Sequence, residues 1–114
     1  MILIFNWRTL FNVQGNKRDS KNNRITIATG TNNLEIMESQ AYNLIEENEA
    51  NAIGLFSFVT NQSTTSQYNT GELYITHLDM NNQVVSGTFW FDVIDHNGDL
   101  REIREGRFDM EFTQ

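Results

Sequence analysis

The chain is predicted to be all-β, a single antiparallel β-sandwich or open barrel. Three observations carry the prediction. Runs of β-branched and aromatic residues recur roughly every 10–15 residues, with polar turns between them. Nowhere do strands alternate with long helical patterns, as βαβ units require. The clearest stretch, Gly71 to Phe112, reads as a three-stranded meander joined by two tight turns. At 114 residues the chain fits one β domain over 1–114. Residues 1–24 leave open an irregular start or a truncated N-terminal region.

Taken in order, residues 2–13 (ILIFNWRTLFNV) have strand composition. Met1–Phe5 is too short for a signal-peptide core and has no basic region before it, so it reads as a strand or a cut end. Residues 14–24 read as a polar loop, 25–29 as a short strand, 30–33 as a turn and 34–38 as another short strand. Residues 39–51 fit a short helix capped by Ser39, or a loop or strand ending near Glu46. Residues 52–60 (AIGLFSFVT) are apolar on both faces, which places that strand in the middle of the sheet. Residues 61–70 (NQSTTSQYNT) read as a long polar loop.

The meander follows. Residues 71–79 place Leu73, Ile75 and His77 on one face, and Tyr74, Thr76 and Leu78 on the other. A turn at 80–83 offers Asn81-Asn82 for positive φ. In residues 84–94, Phe89, Phe91 and Val93 oppose Trp90, Asp92 and Ile94, and Gly87 marks a bulge or a close backbone approach. Asn97-Gly98 is a strong hairpin signal. In the last strand, 100–112, Phe108, Met110 and Phe112 face inward, and Gly106 suggests a second bulge. With no proline in the chain, Gly and Asn are left to make the turns.

Composition excludes several functions. The absence of cysteine removes disulfides, thiolate catalysis and thiolate zinc sites. A net charge of −7 opposes nucleic acid and anionic membrane, which need Lys/Arg clusters. The basic cluster Lys17, Arg18, Lys21 and Arg24 is broken by Asp19 and reads as a solvated loop. No window approaches the ~18 apolar residues of a transmembrane helix.

Catalytic and metal patterns are weak. No nucleotide, nucleophile-elbow or zincin motif is present, and no cofactor is expected. His77 could share a face with Asp79 as base and orienting acid, but a hydrogen-bonded strand histidine explains it better. His96 reads as an exposed turn residue. Asp95, Asn97 and Asp99 alternate as calcium ligands do, but Gly98 stands at the fourth position where an EF-hand loop needs glycine at the sixth, and no closing Glu follows. Glu46, Glu47 and Glu49 read as a solvated turn. The aromatics Trp7, Tyr68, Tyr74 and Trp90 could make a sugar-stacking platform, and Trp90, Tyr74 and Tyr68 are the ligand-binding candidates.

Residues 54–112 also carry a resemblance. The order is Gly54-Leu-Phe-Ser-Phe58, a polar loop, Gly71-Glu-Leu-Tyr-Ile-Thr-His-Leu-Asp79, Val85-Ser-Gly-Thr-Phe89-Trp-Phe91, Asn97-Gly98 and Glu105-Gly-Arg-Phe-Asp109. It resembles the C-terminal half of small Bacteroidota lipoproteins classed as a domain of unknown function. The resemblance implies a secreted domain held at the cell envelope by a lipidated cysteine, which this sequence does not contain. It implies no activity; it places Gly71, Gly87, Gly98 and Gly106 at turns or bulges.

The leading expectation is therefore a non-catalytic module that binds a glycan, a peptide or an envelope protein. One alternative is a lipocalin-like small barrel holding an apolar ligand. The other is a hydrolase with two carboxylates in a groove.

Overall fold

The computed structural model describes residues 2–6, 10–32, 36–46 and 52–111. They form nine strands, and no helix occurs among them: β1 (Ile2–Asn6), β2 (Leu10–Arg18), β3 (Arg24–Asn32), β4 (Gln40–Leu44), β5 (Ala52–Phe58), β6 (Asn61–Thr64), β7 (Gly71–Asp79), β8 (Val84–Ile94) and β9 (Leu100–Glu111). The strand order is β1-β2-β3-β5-β4-β7-β8-β9, with β6 also paired to β5. The result is a mostly antiparallel sheet curled into a half-barrel. Of the two forms the sequence allows, this is the open one.

One junction in the sheet is thin. β4 and β5 meet in parallel at Leu44 and Ala52 alone, where the Ile45 N–H donates to the Ala52 carbonyl at 2.9 Å. Further along that same edge of β5, β6 takes over, pairing Leu55–Phe58 with Thr64–Asn61. Thr65 fills the gap between β4 and β6. Its hydroxyl accepts from the Gly54 N–H (3.0 Å) and donates to the Ile45 carbonyl (2.6 Å). Its own N–H donates to the Gly54 carbonyl (2.9 Å).

The core lies on the concave face. Phe91, Leu73, Ile75, Val85 and Val93 of β7 and β8 are fully buried there, with Leu44 of β4. Burial of each large side chain stabilises the fold by about 1.5–3 kcal/mol. The curl brings β8 over β5. The Phe91 ring lies on Gly54, where an added Cβ would come within 2.5 Å of it. A side chain at 54 would hold the two halves of the sheet apart.

The N-terminal half departs from the sequence reading at several points. Residues 14–18, expected as loop, continue β2 and pair residue for residue with 24–28. The turn is confined to 19–23, and Asp19 closes it by accepting the N–H groups of Lys21 and Asn23 at 2.9 Å. β3 likewise runs through the expected turn at 30–32. Residues 36–39 are not strand, while Leu34 and Glu35 lie outside the described residues. Ser39 caps no helix: it sits at φ 60 in the turn just before β4, where Leu44 is fully buried. Residues 61–64, expected as loop, form β6. At 14–18, 30–32 and 61–64 polar composition suggested loop or turn, but backbone pairing with a neighbouring strand decided the structure.

The meander has the expected bounds, with Phe112 outside the described residues. Both bulges lie beside the glycines that signalled them. β7 carries its extra residue at Thr76, opposite Ser86 and Gly87. In β9, Arg104 and Glu105 together oppose Trp90, next to Gly106. The first bulge corrects a face assignment. Beyond Thr76 the alternation slips by one, so His77 pairs with Ser86 on the convex face and Leu78 with Val85 on the concave one. Gly71 is in neither a turn nor a bulge; it begins β7 against the backbone of Trp90 and Phe91. In the 80–83 turn the positive φ falls on Gln83, not on Asn81 or Asn82. Asp79 fixes that turn by accepting from the N–H groups of both asparagines at 3.0 Å.

Candidate functional site

The β9 bulge shapes the convex face. A bulge sets two residues against one and re-aims their side chains. Glu105 adopts φ 56 to make it. Trp90, opposite, stands mid-strand yet remains 40% exposed. The Arg104 guanidinium lies 5.2 Å from its ring centroid. Two carboxylates hold that guanidinium: Asp92 Oδ1 at 2.9 Å and Glu102 Oε2 at 2.9 Å. Asp92 Oδ1 is shielded from solvent and has no hydrogen-bond partner among the described residues. Its contact with Arg104 is thus an ion pair outside hydrogen-bonding direction. Paired this way, Arg104 buttresses the indole through a cation–π contact.

Around Trp90 opens a cleft of about 560 Å³, bordered by Glu72, Thr88, Glu105, Gly106 and Arg107. The register explains the grouping: Glu72 pairs with Trp90, and Thr88 pairs with Arg107. Cross-strand partners share a sheet face. Of the other expected ligand residues, Tyr74 stands half-buried on this face, opposite Thr88 and outside the cleft lining. Tyr68 is 85% exposed in the loop after β6 and does not line the cleft. Trp7 lies outside the described residues. Glu72, Thr88, Glu105 and Arg107 escaped sequence reading because cross-strand register alone gathers them. The one hint was Gly106, which marked the bulge.

A second concavity lies on the inner side of the half-barrel. Between β2–β3 and β8–β9 runs a trough of about 290 Å³. Ile25, Ile27, Phe89 and Ile103 line it, each half-buried and each packed against the core. Asn16, Arg104 and Arg107 complete its lining from strand positions whose register faces the convex side, and Phe89, Gly106 and Arg107 border both concavities.

The remaining chemical candidates resolve into structural roles. His77 Nδ1 sits 3.0 Å from Glu38, not against Asp79, whose carboxylate is committed to the turn. His96 is exposed and stacks on Phe58 at 5.9 Å. Asp95 is spent on its own hairpin: Oδ1 accepts from the N–H groups of Asn97 and Asp99, and Oδ2 from Arg101 Nε at 2.7 Å. The Arg101 hydrogen bond, followed by the Asp99 N–H, holds its carboxyl below the usual range. A carboxylate so engaged has little left to offer calcium. Among the described residues no cluster of three His, Cys, Asp or Glu could hold a metal ion; Glu47 and Glu49 lie outside them. Nor is any described helix long and apolar enough to cross a membrane.

Fold and concavities together define an all-β half-barrel with an aromatic-centred cleft outside and an apolar trough inside. The chain belongs to the family described as a domain of unknown function, DUF6252, whose model matches residues 6–110. The match reaches well beyond the 54–112 segment that carries the resemblance in sequence. No curated protein and no solved structure matches the chain.

Proposed function

We propose that the domain is a non-catalytic binding module of the cell envelope that holds a neutral saccharide in the Trp90 cleft. One observation carries the reading: an exposed indole, buttressed by Arg104 and surrounded by polar side chains. A pyranose ring presents C–H groups to an aromatic face and hydroxyls to its surroundings. Glu72 and Glu105 can accept from those hydroxyls, Arg107 can donate, and Thr88 can do both. A chain at −7 with two carboxylates on the cleft disfavours uronates and sulfated sugars. The envelope placement is supported by the motif likeness to lipoproteins.

The test is a binding screen across neutral, uronic-acid and sulfated oligosaccharides. Binding confined to neutral sugars, weakened about tenfold or more in Trp90→Ala with unchanged circular dichroism, is the expected result. Release of reducing ends from a bound oligosaccharide, lost in Glu72→Gln or Glu105→Gln, would reassign the cleft to a carboxylate hydrolase. Failure of every saccharide to bind would sink the reading.

A further inference from the structure

We propose that the end of the half-barrel built by the 19–23 and 59–60 turns docks on an anionic lipid bilayer, with Val59 as its apolar tip and Arg18, Lys21 and Arg24 as its cationic flank. Charge is unevenly placed along the chain. Residues 17–24 hold four of its eight basic residues and one of its fifteen acidic ones. The acidic one, Asp19, is folded into the turn, where it accepts from the N–H groups of Lys21 and Asn23 and from the Asn23 side-chain amide. Arg18 and Arg24 are cross-strand partners, and both are exposed. Like charges set directly opposite each other destabilise a sheet. Arg18 donates to the Asn22 carbonyl, but neither arginine has an ion pair among the described residues. An anion outside the chain would offset their repulsion.

The apolar tip is a second, independent observation. Phe58 pairs with Asn61, so Val59 and Thr60 make a two-residue hairpin loop. Val59 adopts φ 57, a conformation that such loops reserve for Gly or Asn and that strains a β-branched residue. Val59 is nevertheless 48% exposed, so burial within the fold does not offset the strain. Its N–H donates to the Arg24 carbonyl at 2.9 Å, which sets the apolar residue beside the cations. The β8–β9 tip joins the same end through the stacking of His96 on Phe58; its Asp95 is paired with Arg101, and Asp99 is its exposed carboxylate. A bilayer interface offers anionic headgroups and an apolar phase at one surface. An acidic polysaccharide offers the charge alone. Physiological salt screens exposed charges beyond about 8 Å, so this end meets a surface by its local charge and not by the −7 of the whole chain.

The test is sedimentation of the whole chain, in about 0.1 M salt, with vesicles of phosphatidylglycerol and phosphatidylcholine in equal parts. Vesicles of phosphatidylcholine alone and soluble polygalacturonate are the comparisons. Saturable binding to the mixed vesicles, about tenfold or more stronger than to phosphatidylcholine, is expected. Arg24→Gln should weaken it about fivefold, whereas Arg107→Gln, the same charge removed from β9, should change it less than about twofold. Val59→Gly should weaken binding about threefold while the melting temperature stays equal or rises, because glycine relaxes that φ. Trp90→Ala should leave vesicle binding untouched, which separates this surface from the saccharide cleft. The inference is overturned if the mixed vesicles do not bind, if phosphatidylcholine or polygalacturonate binds as tightly, if Arg24→Gln and Arg107→Gln act alike, or if Val59→Gly leaves binding intact.

Discussion

At Thr65 a single hydroxyl joins three strands. The residue is 1% exposed, and its oxygen serves Gly54 of β5 and Ile45 just beyond β4 at once. Valine would keep the shape and strand both backbone partners. Thr65→Val is expected to cost about 3 kcal/mol in urea unfolding, since each buried group left unpaired costs about 1–3 kcal/mol. Thr65→Ser, keeping the hydroxyl, should cost about 1 kcal/mol. Equal losses in the two variants would show that the methyl, not the hydroxyl, matters. Nothing in the run NQSTTSQYNT distinguishes this threonine from its neighbours; its importance comes from where two strands part, a long-range fact. Trp90 was more legible. Its parity set it on the face opposite Phe89 and Phe91, and that face leaves it 40% exposed.

Among the elements, the meander was legible because its pairings are local hairpins with clean alternation. The limit was set by the bulges. Glycine signalled their neighbourhood, but the extra residues are Thr76 and one of the pair Arg104 and Glu105, a step away. A slip of one residue inverts every side chain beyond it, and so the sequence reading grouped His77 with Leu73 and Ile75, and Leu78 with Tyr74. Deleting Thr76 provides the test. With the extra residue gone, Ile75, His77 and Leu78 alternate regularly and keep their partners Gly87, Ser86 and Val85, so the deletion is expected to cost no more than about 1 kcal/mol in chemical denaturation. A loss of about 3 kcal/mol or more would show that the bulge itself, and not only the register beyond it, supports the sheet. The N-terminal strands were less legible because β2 and β6 are polar at the positions that pair, and only the partner strand identifies them.

For the molecule as a whole, three hairpins share one device. Asp19, Asp79 and Asp95 each open a turn and accept its N–H groups, so aspartate closes turns that composition had assigned to Gly and Asn. All three carboxyls are held below their usual value of 3.8: Asp19 first by the Asn23 N–H, Asp79 by the Asn82 N–H, Asp95 by the Arg101 side chain. A carboxyl depressed in the folded state stabilises it above the unfolded pKa, about 3.9, and that contribution is lost as pH falls through the folded value. From these groups, melting temperature should be flat from pH 7 to about 5 and fall below about 4. Asp95→Asn should lower stability at pH 7 and make the acid decline shallower. An unchanged acid profile in that variant would remove Asp95 from the account. The thin junction at Leu44 and Ala52 has its own mechanical consequence. The trough has one wall on β2–β3 and the other on β8–β9, and the strand ladder connects those walls through that single rung. Thr65 braces that rung from beside it, so a variant that loosens Thr65 weakens the link between the two walls at a distance from the residues that line the trough.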